Sequence, residues 1–119
     1  MHQLPSRGDV WHAAFQPTQG REQSEDRPCL IVSIDGLNHG PSDLVIVVPI
    51  TRTARSTPFH VSIDPPEGGL SHPSYVMCEQ VRALSIERLQ NGPIVKHYGT
   101  VSAAVMRQVE DRLRIVMGL

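Results

Sequence analysis

Up to Ser85 the chain alternates short apolar, β-branched runs with polar segments rich in glycine and proline, a pattern that predicts strands. Gly8 to Phe15 is half-apolar, contains Trp11 and is closed by Pro17. A polar loop with Gly20 and a dense charge cluster follows from Gln16 to Arg27. Pro28 to Ile34 (PCLIVSI) is almost wholly apolar, as expected of a buried strand, and a turn follows from Asp35 to Pro41. Leu44 to Ile50 (LVIVVPI) reads as a second buried strand, with Pro49 marking an edge or a bulge. Thr51 to Pro58 is a polar loop carrying Arg52 and Arg55. Phe59 to Ile63 alternates, Pro65 to Gly69 is a turn, and Tyr75 to Leu84 reads as one long bent strand interrupted by Glu79, Gln80 and Arg82. A helical turn over Ser85 to Leu89 and a last strand over Ile94 to Tyr98 complete this part.

The C-terminus changes period. Ser102 is suited to cap a helix, with Val101 and Met106 flanking it as a hydrophobic staple. Val105, Val109, Leu113 and Val116 form one apolar stripe, and Gly118 ends it. About five or six strands and one terminal helix, without βαβ alternation, predict a mainly β protein with a C-terminal helix, built as a compact antiparallel sheet or small barrel. At 119 residues a single domain, 1–119, is expected.

Composition narrows the function classes. No run is long enough to span a bilayer, and the N-terminus lacks the layout of a secretory signal, so a cytoplasmic protein is expected. Cys29 and Cys78 both lie in apolar runs and are expected to be buried, reduced thiols. The net charge is −1, so no global field draws the chain to nucleic acid, yet ten of the eleven basic residues are arginine and Lys96 is the one lysine. Six scattered histidines, at 2, 12, 39, 60, 72 and 97, have no zinc-site spacing. Phosphate-binding glycine loops and a nucleophile elbow are also missing from the sequence. What stands out is a pair of arginine-rich loops next to the two buried strands. If those strands pair as a hairpin, Pro28 lies opposite the region of Ile50, which brings Arg27 and Thr51 to one end of the sheet. Arginine, a threonine hydroxyl and a nearby glutamate form a combination suited to handling phosphate.

These landmarks, in this order, resemble the MazF/PemK (Kid) toxin family. They are Arg7-Gly8-Asp9-Val10-Trp11, Gly20-x-Glu22-Gln23 followed by Arg27-Pro28, Pro49-Ile50-Thr51, Glu79-Gln80-Val81-Arg82, and a terminal helix ending in Gly118-Leu119. The resemblance covers residues 7 to 119. It implies an SH3-like β-barrel forming a homodimer, and a metal-independent endoribonuclease that cuts single-stranded RNA at short motifs. It also implies an antitoxin whose C-terminal segment occupies the RNA groove; the arginines there favour an acidic segment. Arg27 and Thr51 correspond to the central catalytic residues, with Glu22 assisting, and Gln23, Glu79 and Gln80 correspond to groove residues. Arg21 stands where many relatives have serine and adds a candidate phosphate contact. Arg52 and Arg55 are further candidates for touching RNA backbone. Asp26 precedes Arg27, so no histidine stands there as an acid–base group, and His12 and His60 are distant along the chain.

RNA supplies its own nucleophile, the 2′-hydroxyl. Arg27 is expected to stabilise charge on the phosphoryl oxygens, Thr51 to add a hydrogen bond, and Glu22 either to act as general base or to orient Arg27. Structural alternatives remain: Arg27 pairing with Glu25 or Asp26, Thr51 forming a turn, and Gln80 with Arg82 forming a polar network. Two rival functions are that of a CcdB-like toxin, which shares the fold class but poisons DNA gyrase by binding, and that of a catalytically silent SH3-like module that binds an antitoxin-like peptide.

Overall fold

The computed structural model describes residues 4–15, 26–90 and 94–119. Within them the chain forms β1 (Asp9–Ala13), β2 (Arg27–Ile31), α1 (Asp35–Asn38), β3 (Leu44–Thr51), β4 (His60–Ile63), β5 (Ser74–Met77), β6 (Arg82–Ser85), α2 (Glu87–Gln90), β7 (His97–Thr100) and α3 (Ala103–Met117). Two 3-10 turns, Glu67–Gly69 and Cys78–Gln80, flank β5. The strands lie in the order β4-β5-β3-β2-β1-β7, with β6 also paired to β3, and every pairing is antiparallel. The result is a mainly antiparallel β half-barrel with a C-terminal helix, in the class predicted from the sequence.

The apolar runs are continuous because β2 and β3 are covered on both faces. Leu30, Val48 and Ile50 enter one core with Val10, Val76 and the α3 residues Val105, Val109 and Leu113. Their neighbours Cys29, Ile31, Val45 and Val47 enter a second core with Trp11, Phe15 and Leu89. With period-2 side chains, a strand between two cores has no polar face to alternate with.

The terminal helix forms as its sequence predicts. The Ser102 hydroxyl accepts a hydrogen bond from the Val105 amide at 3.2 Å. Glu67 accepts from the Ser102 backbone N–H at 2.7 Å and from its hydroxyl at 3.1 Å, which ties the 3-10 turn before β5 to the helix start. Gly118, left-handed at φ 69°, ends α3. Val101 and Met106 both pack on the first core.

Four expectations need correction. The stretch from Tyr75 to Leu84 is two strands, because the Cys78–Gln80 turn hands the chain from pairing with Ile50 and Thr51 to pairing with Leu44–Val47. Pro49 is neither at an edge nor exposed: it is fully buried opposite Cys29. It falls in the gap between the β6 and β5 partners of β3, where that flank is unpaired anyway. The turn after β2 is the helix α1, whose buried Asn38 donates to the Ser33 carbonyl at 2.9 Å. The last strand is His97–Thr100, later than Ile94 to Tyr98, because Asp9 pairs with Thr100 and accepts its hydroxyl at 3.0 Å while Ile94 and Val95 stay exposed.

Both cysteines are free thiols and buried. Burial pushes the Cys29 thiol far up, and pushes Cys78 up to about 12, with the charge of Glu79 adding and Arg112 opposing. The thiolate is the reactive form. Neither cysteine is therefore expected to react with a disulfide reagent at pH 8 in the native protein, and both are expected to react once denaturant is added. Prompt labelling of either native thiol would contradict this burial.

Candidate nucleic-acid interface

The register between β2 and β3 pairs Leu30 with Val48 and Cys29 with Pro49. Carried two residues further, it sets Arg27 beside Thr51. On the outer flanks Arg27 pairs with Ala13, Thr51 with Tyr75, and Tyr75 with Ser62. Five strands thus contribute one cross-strand row, Ala13–Arg27–Thr51–Tyr75–Ser62. Directly paired residues share a face, with Cβ atoms about 4.5–5.5 Å apart. Arg27, Thr51 and Tyr75 are half-buried and Ser62 is exposed. An arginine, a threonine and a tyrosine therefore stand in sequence along this row.

A cleft of about 220 Å³ begins at Thr51. Pro28, Ile50 and Leu70 are among its apolar lining residues, and Arg52, His72, Lys96 and Tyr98 line it as well. The Lys96 ammonium sits over the Tyr98 ring, 4.5 Å from its centroid. Burial raises the Tyr98 hydroxyl above its ordinary range, and the positive charge of Arg52 pulls the other way. The cleft keeps its shape because the turn Glu67–Gly69 presses against β7. A Cβ on Gly69, which has φ +74°, would lie 1.9 Å from the Tyr98 carbonyl oxygen. The other flank of β7 is held by the buried Asp9, which accepts from Trp11 Nε1 at 3.2 Å and from the Thr100 hydroxyl. Trp11 stacks on His97 with ring centroids 5.0 Å apart.

The remaining predicted residues divide into three groups. Arg52 lines the cleft, while Arg55 is exposed in the loop after β3. Glu79 and Gln80 lie on the turn between β5 and β6, beside the part of β3 that precedes Thr51. At the strand rise that is about 7–13 Å back along β3, so within one protomer they do not join the Arg27–Thr51 pair. Glu79 instead accepts a contact from His60 Nε2 at 3.0 Å. Arg21, Glu22 and Gln23 lie outside the described residues.

Several residues near the site gave no signal in the sequence. Lys96 and Tyr98 fall in a segment with no motif, and only pairing of β7 with β1 brings them to the cleft. His12 pairs with Pro28, and its Nε2 lies 3.5 Å from an Asp26 carboxylate oxygen. A histidine thus stands beside the residue preceding Arg27 after all. It comes from β1, across the sheet, and not from the loop.

A family model described as the PemK-like, MazF-like toxin of type II toxin–antitoxin systems matches residues 6–117. The chain belongs to this family. It is 31% identical over 118 residues to the endoribonuclease MazF9 of Mycobacterium tuberculosis, covering 95% of this chain and 96% of that one. Its fold superposes on MazF of Deinococcus radiodurans with a TM-score of 0.82 at 25% identity, over 99% of this chain and 100% of the other. It also matches an endoribonuclease of a mycobacterial species, solved in complex with its cognate antitoxin, with a TM-score of 0.74 at 26% identity, over 97% and 96% of the chains.

The first of the MazF-like landmarks has a structural explanation in this chain. Arg7 binds the Val32 carbonyl and pairs with Glu110 on α3, while Asp9 and Trp11 hold β7 as described above. The Arg7 to Trp11 motif therefore stabilises the frame. No helix among the described residues is long and apolar enough to cross a membrane.

Proposed function

We propose that this MazF-like toxin is a metal-independent endoribonuclease that cuts single-stranded RNA at a short motif. The observation that carries this reading is the register that, carried two residues on, sets Arg27 beside Thr51, which also lines a cleft bearing further cations. The 2′-hydroxyl attacks the adjacent phosphorus, leaving a 2′,3′-cyclic phosphate on one fragment and a 5′-hydroxyl on the other. Arg27 offers parallel N–H donors to the non-bridging oxygens as their charge grows, and Thr51 adds a neutral hydrogen bond. Glu22 receives the 2′-hydroxyl proton or orients Arg27.

The protein acts in the cytoplasm as a homodimer. Ile115, Met117 and Leu119 leave an exposed apolar end on the terminal helix, which supports a partner surface there. A cognate antitoxin neutralises it by laying an acidic C-terminal segment over the arginine-bearing groove. Opposite charge favours that choice of segment.

The deciding experiment incubates the purified protein with a long single-stranded RNA in excess EDTA and maps cut positions and end groups. Cuts at one short motif with cyclic phosphate ends are expected. An RNA left intact over a range of sequences would overturn the nuclease reading and favour a toxin that acts by binding alone.

A further inference from the structure

Lys96 is the one lysine of the chain, and it is exposed. Its ammonium lies over the Tyr98 ring, in the cleft that starts at Thr51 and also carries Arg52. None of the described residues lining this cleft is a carboxylate. In a chain of net charge −1, this makes a local cationic recess that shares Thr51 with the row holding Arg27. At about 220 Å³ the recess is smaller than the ~300–1,000 Å³ typical of a site for a drug-sized ligand. A single phosphate with part of its sugar suits it, and a duplex does not.

We propose that this cleft is a second phosphate subsite, in which Lys96 and Arg52 hold the RNA phosphate neighbouring the one that is cut. Tyr98 is a positioning residue: its ring holds the Lys96 ammonium at the cleft mouth, so less side-chain freedom is lost when the phosphate arrives. Leu70, Pro28 and Ile50 give the sugar an apolar wall. The inference rests on the nuclease reading for its ligand, single-stranded RNA. Because a phosphate contact positions the strand without reading bases, the subsite sets affinity and register and leaves the cleavage motif unchanged.

The test measures binding of a fluorescein-labelled single-stranded RNA of mixed sequence by anisotropy at several salt concentrations. Arg27→Ala protein serves as the parent, so that cleavage does not interfere. Adding Lys96→Gln is expected to weaken binding about three- to five-fold near 0.1 M salt. It is also expected to reduce the slope of log affinity against log salt by about 0.7, the value of one lost phosphate contact on a single strand. Tyr98→Leu is expected to lose about as much, and the two together little more than either alone. Arg107→Gln, the same charge change on the exposed face of α3, is expected to leave the slope unchanged.

In the cleaving protein, Lys96→Gln is expected to raise KM with little change in kcat and no change in motif. An unchanged salt slope in Lys96→Gln, or an equal change in Arg107→Gln, would overturn the subsite. A shifted cleavage motif would also overturn it, since the cleft would then be reading a base. Loss of the Lys96 contribution to binding in a protein that cuts no RNA would keep the subsite and remove the nuclease reading. Cleavage with no Lys96 effect on binding would do the reverse.

Discussion

Arg27→Ala is expected to lower the rate of RNA cleavage by about 100- to 1000-fold, the usual effect of removing one preorganised donor from a developing oxyanion. Arg27 is placed to have this effect because β2 is paired on both sides, to β1 through Ala13 and to β3 through Cys29. Its backbone is fixed by pairing, so the strand need not rearrange when the transition state forms. Arg27→Lys keeps the charge but loses the planar pair of donors, and should recover only a small part of the rate. Arg107→Ala, on the exposed face of α3, should cleave like the unmodified protein. Single-turnover rates on one RNA in excess EDTA, with thermal unfolding to confirm that each variant is folded, decide the matter. Near-normal cleavage by Arg27→Ala would place the chemistry elsewhere on the sheet.

The second large effect concerns the frame of the cleft. Gly69→Ala puts a Cβ where the Tyr98 carbonyl already stands, at 1.9 Å, and does so at a positive φ. The backbone strain alone is worth about 1–3 kcal/mol. The clash adds to it, since the obstacle is backbone on both sides: a Cβ on Gly99 would in turn lie 2.9 Å from the Gly69 nitrogen. Relief requires moving β7 off the turn Glu67–Gly69, which displaces Lys96 and Tyr98 together. Gly118→Ala is the matched control, because its φ is also positive at 69° but nothing lies within 4 Å. It should cost about 1–2 kcal/mol, the left-handed strain without the clash. Urea unfolding should show a much lower midpoint for Gly69→Ala than for Gly118→Ala at similar slope. Equal midpoints would mean that the close approach of the turn to β7 contributes nothing to stability.

Some of the candidate site was legible in the linear sequence and some was not. The hairpin logic applied to Pro28 and Ile50 put Arg27 and Thr51 at one end of the sheet, and the observed register has the same offset. It succeeded because both strands are long apolar runs whose pairing is pinned by burial on two faces. Motif spacing does not tell where Glu79 and Gln80 stand relative to that pair; the turn that carries them lies further back along β3. His12 is distant from Arg27 along the chain, yet strand pairing places it beside Asp26. Lys96 and Tyr98 fall within the expected last strand, but nothing local marks them as part of a site, because one lysine and one tyrosine form no motif.

Local signals therefore determined the elements themselves. The apolar runs determined β2 and β3, and Ser102, the 105–109–113 stripe and Gly118 determined α3, since capping and periodicity act within a few residues. The landmarks from Arg7 to Gly118 also sufficed for the family. Only the tertiary structure decided where the chain changes partners: the break at Cys78–Gln80, the burial of Pro49 between two partners of β3, and the shift of β7 toward Thr100. Those outcomes depend on which distant backbone groups satisfy each other and which glycines permit close contact. A contact between residues 69 and 98 is set by the packing of whole strands, and no window of neighbouring residues contains that information.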